Sequence, residues 1–267
     1  MSAKLSDIIH LENDSTFRYP IHEIITIIFV FVSLIPFLFL NPLVSASYTT
    51  EFPLNTTQIA LENSEDLEMT LYSVTQMYTY SIASMIALIV PLLIAFTFAQ
   101  SFDDGSFRTL LSYPISRQTL LFSRLFLVVI PIGVTLTSFF IIGSLVSFWS
   151  SLHFSFIVLV IIGIWIYVSV IVSVCILIAC ISRKSITTAF TGMLIWFLFP
   201  QWIFNMYELP KIIRALSNPL LAMSSLLSPY STDFVVGDII GSYCILFLIT
   251  IIMIISSLLV FRQVEIN

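Results

Sequence analysis

Six long apolar runs set the limits on what this chain can become. They fall near residues 24–44, 78–100, 125–148, 154–181, 186–207 and 238–261, and the only charge in them is Asp238 at the edge of the last. A bilayer's hydrocarbon core is roughly 30 Å thick, which takes about 20 helical residues to cross, and each run is long enough. A soluble fold would leave these runs in water. A soluble domain also carries about 25% charged residues, whereas only 9% of this chain is charged and 58% is hydrophobic. The runs are continuous and lack the period-two alternation of barrel strands, so helices are expected, each satisfying its own backbone within lipid. The expected fold is a single all-α transmembrane domain of six spans covering residues 1–267.

The basic residues orient it. With the N-terminus in the cytoplasm, the inner segments hold Lys4, Arg18, Arg108, Arg117, Arg124, Arg183, Lys184 and Arg262, and the outer ones only Lys211 and Arg214. Positive charge favours the inner side, so both termini are expected there. The first outer loop, near 45–77, is acidic, and Phe17, Tyr19, Tyr78 and Tyr80 suit the aromatic belts at the two interfaces. Val44-Ser45-Ala46 resembles a cleavage site of small residues. The segment before it is long and not clearly basic, so a retained first helix is expected.

Outside the spans, residues 1–23 carry Leu5, Ile8 and Ile9 at helical spacing. An interfacial helix, a contact for a soluble partner and a loosely ordered tail all fit them. Asn55-Thr56-Thr57 matches a glycosylation sequon and is read as a chance match. Residues 208–237 are partly apolar and broken by Pro210, Pro219 and Pro229, a pattern expected of short helices lying on or dipping into the outer leaflet. Pro36, Pro91, Pro131 and Pro200 are expected to kink spans. Cys175, Cys180 and Cys244 sit in apolar runs without CxxC spacing and are read as packing residues. No basic tail or patch suggests nucleic acid.

The inner loop at 101–124 reads SFDDGSFRTLLSYPISRQTLLFSR. Asp104 or Ser106 is expected to cap a short helix that places Phe107, Leu110 and Leu111 on one face. Pro114 ends it, and Ser116 starts a second helix running through Arg117 and Arg124 into the third span. An apolar face on an inner knob calls for a docking partner or for the membrane surface, and the residues alone leave both open.

Residues 103–117 resemble the coupling-helix signature of type-2 ABC exporter permeases: an acidic residue, Gly-Thr, a short helix ending Leu-Leu-Ser, then Pro-Ile/Val-Ser/Thr-Arg. Asp104, Gly105, Arg108, Leu110, Leu111, Ser112, Pro114, Ile115, Ser116 and Arg117 fall on that pattern. Asp stands for the commoner Glu, and Ser106 for the commoner Thr. The long first outer loop and the Ser182-Arg183-Lys184-Ser185 turn are similar to the branch that includes permeases of copper-enzyme maturation. The resemblance implies a permease subunit in the cell membrane, paired with an identical or different second permease and with two ATP-binding subunits. ATP and magnesium would then be held by those partners, with no cofactor, metal or catalytic residue in this chain. It also implies that Phe107, Leu110, Leu111 and Ile115 act as a rigid lever driven by the ATPases, with Leu5, Ile8 and Ile9 as a further contact.

The sequence agrees in having no GxxxxGK[ST] loop. No ionisable residue lies mid-span, which disfavours a secondary carrier or channel without removing it. His10, His22 and His153 are scattered, and no HExxH or GxSxG motif accompanies them, so an enzyme is not expected. Thr135, Thr137, Ser138, Thr191, Trp196, Gln201, Trp202 and Asn205 are candidates for the translocation path, with helix packing and interface anchoring as their alternative role. A neutral, apolar lining points to a lipidic, amphipathic or hydrophobic peptide cargo.

Overall fold

The computed structural model describes residues 79–80, 82–107, 116–147, 154–198, 200, 203, 206, 208–226 and 234–263. The expected first span at 24–44, the contacts Leu5, Ile8 and Ile9, the first outer loop and Pro36 lie outside these residues.

The described chain is helical and contains no strand. In order come α1 (Ile82–Asp103), α2 (Arg117–Ser147), α3 (Phe154–Ser182), α4 (Ser185–Leu198), α5 (Lys211–Ser217), α6 (Pro219–Ser225) and α7 (Val236–Gln263). Among the described residues four helices, α1, α2, α3 and α7, are long and apolar enough to cross a membrane. They correspond to the second, third, fourth and sixth expected spans. The fifth is described as α4, and positions 199, 201, 202, 204, 205 and 207 of that run lie outside the described residues.

α3 is the hub. It packs against α1, α2, α4, α6 and α7, which is why its sequence carries no charge and is apolar all round. Tyr167 on it is fully buried and meets Trp196 of α4 edge-on, ring centres 6.0 Å apart. Tyr243 of α7 lies over Gly163, where a Cβ would collide with its hydroxyl. That hydroxyl donates to the Leu159 carbonyl at 3.2 Å, so the glycine admits the ring and the carbonyl satisfies its polar tip. Gly192 of α4 seats against α1 and α3 in the same way, its missing Cβ falling 2.8 Å from Pro91 Cβ and 3.0 Å from Cys175 Sγ.

α5 and α6 realise the short helices expected in 208–237. Asn218 caps α6 by accepting from the Leu221 amide at 3.2 Å, and Pro219 occupies its first turn. The pair is more buried than a surface-lying helix would be: Leu220, Ala222 and Met223 are wholly enclosed against α3 and α7. Arg214 is buried too, its guanidinium over the Phe234 ring.

Two helices contain π-turns. One, Ala95–Ala99, follows Pro91 in α1; the other, Leu194–Leu198, precedes Pro200. Proline removes a backbone donor and crowds the turn before it, and the wider turn ahead of Pro200 is one way a helix absorbs that. Pro131 is carried inside α2.

Candidate functional site

The ends of α1, α3 and α7 and the beginnings of α2 and α4 converge at one end of the bundle, beside the loop joining α1 to α2. Its residues 108–115, which include Arg108, Leu110, Leu111, Pro114 and Ile115, lie outside the described residues. Both flanks of the loop are described, and both are fastened.

On the near flank, Asp104 closes α1, its amide donating to the Gln100 carbonyl at 2.9 Å. Gly105 follows at φ +69°, a left-handed conformation that costs a side-chain-bearing residue and that glycine adopts freely. Asp104 thus ends one helix rather than starting the next, which corrects the expected cap; helical geometry resumes at Ser106 and Phe107. The Ser106 hydroxyl donates back to the Ser101 carbonyl at 3.3 Å. Phe107 was expected on the exposed face with Leu110 and Leu111, and here the structure differs. Its side chain is 0% exposed, packed with Phe98, Phe102 and Phe261 at ring-centre distances of 5.4, 4.5 and 5.7 Å. Those rings offer it edge-to-face and tilted contacts from α1 and α7, an environment that solvent cannot match.

On the far flank, the expected start of the second helix is found. The Ser116 hydroxyl accepts from the Thr119 amide at 3.1 Å and caps α2. Arg117 then reaches α7, its Nη1 donating to the carbonyls of Phe261 (3.2 Å) and Arg262 (2.9 Å). Terminal carbonyls have no partner within their own helix and carry the negative end of its dipole, so a guanidinium answers both needs. The signature arginine therefore sits on a helix end of this same chain.

Arg124 lies on the helix expected to run through it into the third span, and the structure adds its burial. Counted among the inner-loop charges, it lies seven residues into α2, about 10 Å from the start, and is only 5% exposed. Its Nη1 donates to the Thr97 carbonyl at 2.5 Å, inside the π-turn of α1. A π-turn displaces carbonyls from their usual partners, and a buried guanidinium supplies donors there.

Sequence reasoning passed over Asp103. Its Oδ2 accepts from both the amide (2.9 Å) and the hydroxyl (2.6 Å) of Ser185, the first residue of α4. Asp103 is exposed, past the apolar run of α1, and these bonds hold its carboxyl below the usual carboxylate range, with Lys184 adding to the effect. Nothing local signals a contact between residues 82 positions apart. Only the acidic-then-helix-start chemistry could have suggested it.

The path candidates are less concentrated. Thr135, Thr137 and Ser138 lie on α2, and Thr191 and Trp196 on α4, two helices that both flank α3. Ser138 is exposed, while Thr135, Thr137, Thr191 and Trp196 are half-buried. Thr137 Oγ1 and Trp196 Nε1 are enclosed atoms with no hydrogen-bond partner among the described residues. Gln201, Trp202 and Asn205 lie outside the described residues. No group of three or more metal-binding side chains occurs among the described residues.

No protein-family profile matches the chain, and comparison with curated proteins gives no match. What stands without them is the class: a multi-pass membrane protein, helical throughout its described residues, with one end of its bundle tied together by Asp103, Phe107 and Arg117.

Proposed function

We propose that this chain is the permease subunit of an ATP-driven exporter in the cell membrane, with six spans and both termini in the cytoplasm. Residues 104–116 form its coupling element, seated on a separate ATP-binding subunit. The assembly holds two such ATPases, which carry the ATP and magnesium, and a second permease. The observation that carries the reading is the fastening of both flanks of a loop whose sequence matches the coupling signature. A loop that transmits force must be stiff where it joins the spans, and Phe107 and Arg117 supply that stiffness. The family assignment rests on residues 103–117 and the span layout alone.

Phe107 now has a different part in the lever. It anchors the element from within, leaving Leu110, Leu111 and Ile115 as the contact for the ATPase. Motion enters α1 through Gly105 and α2 through Ser116, and Arg124 ties the two helices together about two turns deeper. The transported molecule passes between two permeases along a neutral lining that includes Thr137 and Trp196. That lining suits a lipidic, amphipathic or hydrophobic peptide cargo.

The rival reading is a secondary carrier, which draws on Arg124 as a buried ionisable group. Its bond to the Thr97 carbonyl favours a structural role instead. Mild-detergent purification of the tagged chain from its native membrane separates the two. A nucleotide-hydrolysing P-loop protein is expected to co-purify in two copies per permease pair, its activity stimulated by amphipathic cargo. A chain that transports alone in proteoliposomes, or an ATPase stimulated only by small hydrophilic ions, contradicts the exporter or the cargo assignment respectively.

A further inference from the structure

We infer that α4 is a lever hinged at Gly192 and latched to the end of α1 by Asp103. This builds on the proposed coupling role only in naming what the loop pulls on; the mechanical claim stands by itself.

The latch is one carboxylate oxygen holding both the amide and the hydroxyl of Ser185. It lies in the exposed cap, where water competes for every partner, so it can open at small cost. The fulcrum is Gly192, pressed onto Pro91 and Cys175 where a side chain has no room. Between the two, the outward side of α4 is bare: Ile186 is 82% and Phe190 65% exposed. Its inward side is held at Thr188, which is buried and whose hydroxyl bonds the Lys184 carbonyl at 2.8 Å and meets Ser182 Oγ at 3.1 Å. Beyond the fulcrum the helix widens into the π-turn Leu194–Leu198, where its hydrogen-bond register already departs from the α pattern.

These features divide α4 into an arm, Ser185–Thr191, and a tail. The arm is held at its tip by an exposed polar bond, along its inward side by Thr188 and its packing on α3, and at its base by the close contact at Gly192. Asp103 is the last residue of α1 before the loop begins. The loop that follows is anchored by the buried Phe107, and Asp103 is a positioning residue for α4.

The test is hydrogen–deuterium exchange on the purified full chain in nanodiscs of phosphatidylcholine and phosphatidylglycerol, with no partner added. Asp103→Ala removes both bonds, and Ser185→Ala removes one. Amides 189–192 are expected to exchange about tenfold faster in Asp103→Ala, the low end for losing hydrogen bonds to a charged group. A smaller rise is expected in Ser185→Ala, and none at 171–180 of α3. Asp103→Asn, which keeps an acceptor without the charge, should fall between wild type and Asp103→Ala. Faster exchange confined to 185–187 would mean simple fraying and overturn the hinge. Faster exchange spread through α3 would make Asp103 a bundle-holding residue and overturn the latch. Neither result bears on whether an ATPase binds, and a missing ATPase would leave the lever standing.

Discussion

Gly163 and Tyr243 carry the clearest residue-level consequence of the packing. A Cβ at 163 meets the Tyr243 hydroxyl, so Gly163→Ala must push the ring off α3 and break its bond to Leu159. Overpacking of this kind costs about 1–3 kcal/mol. Tyr243→Phe keeps the packing and loses only the hydrogen bond, about 0.5–1.5 kcal/mol. Thermal unfolding in detergent should rank Gly163→Ala below Tyr243→Phe and both below wild type. Side-chain roles at this scale were the least legible part of the sequence. Phe107 read as part of the exposed docking face and Phe98, Phe102 and Phe261 drew no reading, because three are local to one helix end and the fourth arrives from more than 150 residues away. Arg117 read as a helix-start residue of the coupling signature, and its bonds to α7 were not foreseen because its acceptors are backbone carbonyls, which leave no mark in a sequence.

Elements were far more legible. The ends of α3 and α7 fall within two residues of the expected spans, since a long uncharged run has one physical solution in lipid. α2 begins eight residues before its apolar run because Ser116 and Thr119 make a cap that the pattern of apolar residues alone does not contain. At 31 residues α2 is about 46 Å long, more than a hydrocarbon core requires, so its polar first turns project from the membrane. The Asp104 cap failed at this same scale: Gly105 with positive φ makes Asp104 a helix end, and glycine's role as a terminator outweighed aspartate's as an initiator. The anchoring of the loop makes a prediction here. Phe107→Ala empties a site among three rings and should cost about 3 kcal/mol, whereas Phe107→Leu should cost less than half of that. Differential scanning fluorimetry of the detergent-purified variants checks the order, and equal stability of Phe107→Ala and wild type would show the cluster to be unimportant. Because its side chain is enclosed, a charged variant at Phe107 would damage the bundle and confuse any test of docking.

At the scale of the whole molecule, the described helices leave much apolar surface bare. In its most apolar stretch α7 is 22% buried against 78% for α1. Lipid, the rest of this chain and the proposed second permease are the candidates for that face, and the sequence had no means of dividing it among them. What it did provide was an expectation of which basic residues share a side. Arg117, Lys184 and Arg262 come together at one end through the contacts of Asp103, Phe107 and Arg117, while Lys211 and Arg214 belong to the segment between α4 and α7. The central claim, that the loop at this basic end is the seat of a separate ATPase, is tested most directly at Leu111. Membranes holding tagged wild type or Leu111→Asp are solubilised gently, and ATP hydrolysis bound per permease is compared at matched thermal stability. Leu111→Asp should lose most of the bound activity, at least tenfold, by placing a carboxylate in an apolar contact. Full retention of bound ATPase by a stable Leu111→Asp chain would contradict the account.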